Sequence, residues 1–290
     1  MGSVVTTPLN AQEFEVHSIG TEFYGNGSVA VAHDGTVYVN QYGTATADIM
    51  GSGTKVFALH QNGEIEVLFE NEVRGPVGGT FDAKGTYFFN QKNSYTRSEF
   101  MQYKNGALQK IADLDGFSGD VLLDRSSTYF LIPSYTHAAL RKVTFDGSVE
   151  DIVQDDRLKG CTGITYGLEG DIFLSNFSTG KILRIDNEWQ LSEFASIPIT
   201  YPGYVVGYLE FFEGQFYATG YGSNKIYRID EHGGVHEFAG SGELGHKDGP
   251  LSEAGFITPN GIAIDAAKGR LYISQNGNGK AAPLRYIDLR

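Results

Sequence analysis

The chain has 290 residues and a formal charge of −13, with 17 Tyr, 19 Phe, 38 Gly and a single cysteine, Cys161. A field of that sign repels a nucleic-acid backbone, and no Lys/Arg cluster reverses it locally. One cysteine excludes an intrachain disulfide, and no apolar run is long enough to cross a membrane as a helix.

Residues 1–12 read as a flexible terminus. The start, Met1-Gly2-Ser3-Val4-Val5, has neither the positive end nor the apolar stretch of a signal peptide. Met1-Gly2-Ser3 has the look of an expression remnant, which leaves exported and cytoplasmic locations both open. From Phe14 onward one pattern repeats. Each unit starts with Asn or a small residue, runs through an apolar strand and turns. The starts are Asn26-Gly27, Gly78-Gly79, Ser118-Gly119, Thr162-Gly163, Val206-Gly207 and Asn260-Gly261, and the turns recur every 42 to 55 residues. That period is the length of a four-stranded propeller blade.

A second strand follows each turn, as in Thr36-Val37-Tyr38-Val39 and Arg270-Leu271-Tyr272-Ile273, rich in the β-branched and aromatic residues that suit a pleated surface. A third alternates apolar and charged residues, as in Lys225-Ile226-Tyr227-Arg228-Ile229-Asp230. Asn-Gly and Asp-Gly turns then lead to a fourth. The sixth unit stops at Arg290 without its fourth strand, and Phe14 to Ile19 resembles the missing copy. The expectation is an all-β, six-bladed propeller spanning 1–290 as one domain, closed by an N-terminal strand that completes the last blade and removes an open edge.

The segment Ala239-Gly240-Ser241-Gly242 to Asp248-Gly249-Pro250, with Pro259-Asn260-Gly261-Ile262-Ala263-Ile264-Asp265, resembles an NHL repeat. The remaining units are similar to the wider six-bladed superfamily of gluconolactonase-like, senescence-marker-protein-like and strictosidine-synthase-like propellers. The resemblance implies a site on the face formed by the loops leading into the inner strands and those joining strands two and three. For the metal-dependent lactonases it implies a carboxylate and amides around a divalent cation, Ca²⁺ by its oxygen donors. The matching positions here are Asn26 and Asn260, with no carboxylate, so that ligand set is incomplete. Asp120 and Glu210, set inside inner strands where apolar residues dominate, are the acids that with Asn260 would hold an ion if one is bound. Both are also catalytic candidates, because a carboxylate there must find a partner, a cation or a proton. Glu22, before the first blade, is a third acid.

His137, in Tyr135-Thr136-His137, is a general acid or base candidate on the same face. Cys161 precedes an inner strand without an identifiable base. The remaining residues of that face are amides and aromatics, among them Tyr24, Asn40, Gln41, Gln91, Asn93, Tyr95, Phe117, Phe177, Tyr201, Gln275 and Asn276; Asn26, Tyr42, Asn90, Tyr135, Asn176, Tyr204, Tyr221 and Asn260 are the ligand-binding candidates, suited to a small neutral or aromatic organic ligand. The long loop from Tyr42 to Gly53 is expected to cover the axis. The leading functional expectation is a small-molecule hydrolase acting on a lactone or ester at the tunnel mouth. A metal-free lyase or cyclase, and a non-catalytic module binding a peptide, glycan or protein, are the alternatives. Neither a substrate nor an oligomeric state is legible.

Overall fold

A computed structural model describes residues 14–20, 23, 26–45, 50–277 and 280–290, without the side chain of Asn26. Six antiparallel sheets form the blades. From axis to rim, blade 1 comprises Asn26–Val31, Val37–Gln41, Lys55–Leu59 and Ile65–Glu70. Blade 2 comprises Val77–Phe81, Tyr87–Gln91, Arg97–Lys104 and Ala107–Asp115. Blade 3 has a short inner strand, Leu122–Leu123, then Tyr129–Pro133, Ala139–Thr144 and Val149–Gln154. Blade 4 comprises Cys161–Tyr166, Ile172–Asn176, Lys181–Ile185 and Leu191–Ser196. Blade 5 comprises Leu209–Phe212, Gln215–Gly220, Lys225–Ile229 and Val235–Ala239. Pro259–Asp265, Arg270–Gln275 and Leu284–Asp288 begin blade 6. Among the described residues the one helix is a single 3-10 turn, Asp156–Leu158.

The hairpin ends follow from short acidic side chains. Asp82, Asp186 and Asp230 each accept the backbone N–H groups two and four residues ahead, at 2.8–2.9 Å. This is the local bonding that makes Asp a turn residue. Between the blades, apolar strand faces interdigitate. Phe88, Phe100, Leu114, Phe130, Ile132 and Val143 fill the seam of blades 2 and 3.

The inner strands are joined directly. Each has, at or close to its start, a glycine with no room for a side chain. A Cβ at Gly78 would lie 2.6 Å from Gly119 O, one at Gly207 2.5 Å from Asn260 O, and one at Gly261 2.6 Å from Ser28 Cα. Gly27, Gly119 and Gly163 likewise abut the next blade. Polar side chains then cross the seams to the backbone. Asn40 Nδ2 donates to Gly78 O at 2.6 Å, Asn90 Nδ2 to Gly119 O at 2.8 Å and Ser175 Oγ to Gly207 O at 2.6 Å. Thr219 Oγ1 donates to Asn260 O at 2.6 Å and Asn260 Nδ2 to Gly27 O at 2.7 Å. Blades 3 and 4 join through Asp120 N and Thr162 O, also at 2.6 Å.

The ring closes as its terminal sequences imply. Glu15–Ile19 pairs antiparallel with Leu284–Asp288, placing Val16 opposite Ile287 and Ile19 opposite Leu284. A fifth strand was not foreseen: Gly249–Pro250 pairs with Glu15 and Val16 on the outer side. The turn residue Asp248 fastens this join. Its carboxylate accepts from Ser18 N at 3.1 Å, Ser18 Oγ at 2.7 Å and Arg285 Nη2 at 2.9 Å. Arg285 is wholly buried and also donates to the carbonyls of Gly255, Lys247 and His17, so its charge is compensated on every side.

Val16 lies in the largest core cluster with no exposed surface. Val16→Asp would bury a carboxylate with no partner, so a loss on the order of 3 kcal/mol is expected. The check is the denaturant midpoint of the full chain. An unchanged midpoint would show that the N-terminal strand lies outside the cooperative unit.

Candidate functional site

At one end of the axis the loops of all six blades surround a cavity of about 600 Å³. Blade 1 contributes Tyr42, Gly43, Thr44, Ala45 and Met50. Val77 and Tyr95 come from blade 2, Phe117 and Tyr135 from blade 3, Thr162 and Phe177 from blade 4. Tyr204, Tyr208 and Tyr221 come from blade 5, and Asn260 and Asn276 from blade 6. These are the loops into the inner strands and the loops joining strands two and three, as the blade pattern predicts.

The wall is a continuous run of aromatic rings. Tyr42 meets Phe117 at 6.2 Å, Phe117 meets Tyr135 at 5.6 Å and Tyr135 meets Phe177 at 6.3 Å between centroids. Phe177 then meets Tyr204 at 5.7 Å and Tyr221 at 5.1 Å. Successive planes stand at 63–77°, the edge-to-face arrangement that ring quadrupoles favour. Polarity comes from hydroxyls and amides. Tyr135 Oη lies 3.1 Å from Ser178 Oγ. Burial pushes the phenols of Tyr42 and Tyr208 upward and that of Tyr221 to about 12, so they stay protonated. No Asp, Glu, Lys, Arg or His lines the cup among the described residues.

Acid lies just beneath it. Tyr208 lines the cup immediately before the inner strand Leu209–Phe212, and Glu210 is the second residue of that strand. Asp120 is fixed nearby. Its backbone N–H bonds the carbonyl of the cup residue Thr162, and its Oδ1 accepts from Gly79 N and Val121 N, each at 2.9 Å. Glu210 Oε2 accepts from Thr165 Oγ1 at 3.2 Å. Burial raises the Asp120 pKa to about 7, against the pull of its two backbone donors. Burial, then the nearby Asp120, raises Glu210 to about 8. Asp120 precedes its two-residue inner strand instead of lying inside it.

Tyr42, Tyr135, Tyr204, Tyr221 and Asn260 therefore gather in the cup, with Asp120 and Glu210 below. Other candidates go elsewhere. Asn90 is fully buried in the seam to blade 3, where its Nδ2 donates to Gly119 O and its Oδ1 has no partner among the described residues. Asn176 donates to the carbonyls of Arg157 and Lys159 and accepts from Ser178 N and Thr179 N, so it shapes a loop and does not face the cavity. His137 lies outside the cup, its Nε2 3.1 Å from Asp151 Oδ2 on the exposed flank of blade 3. Cys161 is completely buried, and burial pushes its thiol up, away from the thiolate a nucleophile needs. Glu22, Tyr24, the side chain of Asn26 and the 46–49 tip of the long loop lie outside the described residues. The base of that loop is ordered by Gly53 N to Tyr42 O at 2.8 Å and Met50 N to Asn93 O at 3.2 Å.

Tyr208 and Thr162 line the cavity, although neither is among the ligand-binding candidates of the sequence. Both sit beside the inner-strand glycines Gly207 and Gly163, and that adjacency is the signal that would have found them. No three Asp, Glu, His or Cys side chains come together among the described residues, and Asn260 gives its amide nitrogen to Gly27 O. Asn260 Oδ1 is the donor that stays available to a cation once the amide nitrogen is bonded. A smaller cavity of about 220 Å³ opens between blades 4 and 5, beside Phe173, Phe211 and Phe216, among the turns that join first and second strands.

No family sequence model matches the chain, and no curated protein matches it in sequence. Solved structures do match in fold. A virginiamycin B lyase from Staphylococcus aureus is 15% identical, covering 96% of this chain and 100% of that one, with a TM-score of 0.63. A gluconolactonase from Xanthomonas campestris is 13% identical over 98% and 94% of the two chains, TM-score 0.69. An auxiliary nutrient binding protein from Bacteroides thetaiotaomicron is 14% identical over 95% and 76%, TM-score 0.75. The chain is thus a six-bladed β-propeller whose structural neighbours include gluconolactonase-like and virginiamycin B lyase-like propellers.

The raised carboxyls set a pH dependence. Between their ordinary values of 3.8 and 4.5 and their folded values of about 7 and 8, the native chain holds protons that the unfolded chain releases. Stability therefore falls as pH rises through that window. Glu210→Gln removes one share of the loss. Thermal melts should show the variant several degrees above wild type at pH 9 and close to it at pH 4, a few °C for each kcal/mol recovered. Parallel melting curves across this range would contradict the assignment.

Proposed function

We propose that the axial cup is the functional site and that it takes a small organic molecule with an aromatic or apolar body, held by ring stacking and oriented by tyrosine hydroxyls and amides. The observation that carries this reading is the run of touching aromatic rings from Tyr42 to Tyr221 along a cavity of about 600 Å³, a size suited to a single small ligand. Neighbours with the same fold are named for lactone hydrolysis, for a lyase and for nutrient binding. The shared element of those roles is an organic molecule, and it is what the wall supports best here.

Phe177 is the hub of the wall, touching Tyr135, Tyr204 and Tyr221. A panel of uncharged aromatic and alicyclic compounds, screened by calorimetry, is expected to yield binders. Phe177→Ala should weaken them by about tenfold or more, from lost stacking and lost apolar contact, with only a modest change in melting temperature. Binders that bind the variant equally well would move the site away from the cup.

A second reading keeps catalysis. Asp120 and Glu210 titrate near neutrality one layer below the floor, the range that suits a general acid or base. A hydrolase or lyase would draw on that pair with Tyr208 between it and the substrate. Turnover in a panel of lactones, esters and cyclic depsipeptides, lost in Asp120→Asn and Glu210→Gln while binding persists, would favour it over simple binding.

A further inference from the structure

We propose that the ligand of the cup carries a positive charge: an organic ammonium whose cationic head is held over the floor by the aromatic rings and by the field of Asp120 and Glu210 beneath them. The inference rests on the cup being the binding site and narrows its ligand to one chemical class.

Three independent features converge on it. The first is sign. The cup contains no cationic side chain among the described residues, and the chain as a whole carries −13, so nothing charged in the cup opposes a cation and the overall field disfavours an anion. The second is the wall. Rings of Phe and Tyr present a negative π surface to a desolvated cation, and aromatic cages of this kind bind quaternary and alkylated ammonium groups.

The third feature is the acid layer. Asp120 and Glu210 are half-buried at the inner strands, and among the described residues neither has a basic side chain as a hydrogen-bond or ion-pair partner. The groups that face them are backbone amides, Thr165 and the phenols of Tyr87 and Tyr208. A neutral guest gains nothing from two carboxyls held in that position at a cost to folding. A cation on the floor offsets the repulsion between them and favours their ionised forms. Tyr208 links the two layers, because its ring lines the cup and its phenol feels the charge of Asp120.

The experiment compares isosteres. 4-Hydroxybenzyl-trimethylammonium, its neutral carbon analogue 4-neopentylphenol and the anionic 4-hydroxyphenylacetate are titrated calorimetrically into wild type and into the Asp120→Asn/Glu210→Gln double variant at pH 8. The ammonium is expected to bind wild type at least tenfold more tightly than the neutral analogue, and the anion more weakly than either. In the double variant the ratio of ammonium to neutral analogue should collapse toward the part due to the rings alone, with the neutral analogue unchanged. A neutral analogue that binds wild type as tightly as the ammonium overturns the charge assignment and leaves the cup as a site for uncharged molecules. A preference for the ammonium that survives intact in the double variant overturns the role of the acid layer. Failure of all three probes to bind removes the cup itself, and this inference with it.

Discussion

The molecule is organised by how closely its inner strands approach one another. At six positions, one per blade, the chain passes so near its neighbour that only glycine fits: Gly27, Gly78, Gly119, Gly163, Gly207 and Gly261. That proximity sets the width of the axial channel. It also brings the carbonyls of Gly78, Gly119 and Gly207 within reach of Asn40, Asn90 and Ser175 on the second strands. Apolar packing between blades is non-directional and would tolerate sliding. The polar crossings fix the angle, because a buried donor left without its carbonyl costs more than a made bond contributes. The cup is then the open end of a ring whose floor is already determined.

The same constraint explains which part of the site was legible in the sequence. The blade starts were visible as repeated small residues, and so were the loops that meet at one face. What the sequence could not separate was the work done by chemically identical side chains. Asn90 and Asn260 both belong to that face, yet Asn90 is sealed in a seam while Asn260 reaches both the seam and the cavity. Asn176 is one residue beyond the second-strand latch Ser175 and is consumed by two carbonyls of the preceding loop. An amide near an axis is needed first for backbone bonding, and only the register decides what remains for a ligand. Aromatic residues escape this ambiguity. Phe117, Tyr135 and Phe177 have little to offer a backbone and find one another instead, which is why the ring-forming candidates reached the cup more faithfully than the amides did.

The acids were legible for a different reason: they break a pattern. Asp120 and Glu210 stand where the inner strands are otherwise apolar or small. Their environment separates them from the surface carboxylates. Asp230 and Asp155 lie in turns, where backbone and side-chain donors lower their pKa values. Asp120 has two backbone donors as well, yet burial outweighs them and the shift reverses. Placed near Glu210 in the same channel, it makes ionisation of either group harder for the other. The protein thus keeps a reserve of latent negative charge under a neutral, aromatic surface, and what lies on that surface determines how much of it is expressed.

Closure of the ring is what makes this arrangement one site. Blade 6 and blade 1 meet where the two ends of the chain meet, and between them they supply Asn260, Asn276, Tyr42 and Met50 to the wall. The join depends on Glu15–Ile19 adding to the sheet of blade 6, and on Asp248 and Arg285 bonding across it. Arg285 carries the argument furthest. It is buried without exposed surface, and four backbone and side-chain oxygens from three separate segments converge on it. Removing the 247–248 segment would take the carboxylate partner from Arg285 and strand a charge in the interior, a penalty larger than the bonds themselves contribute. A sheet edge held in this way cannot open by small steps, so the mouth of the cup keeps its circumference although its wall is assembled from residues more than 200 positions apart.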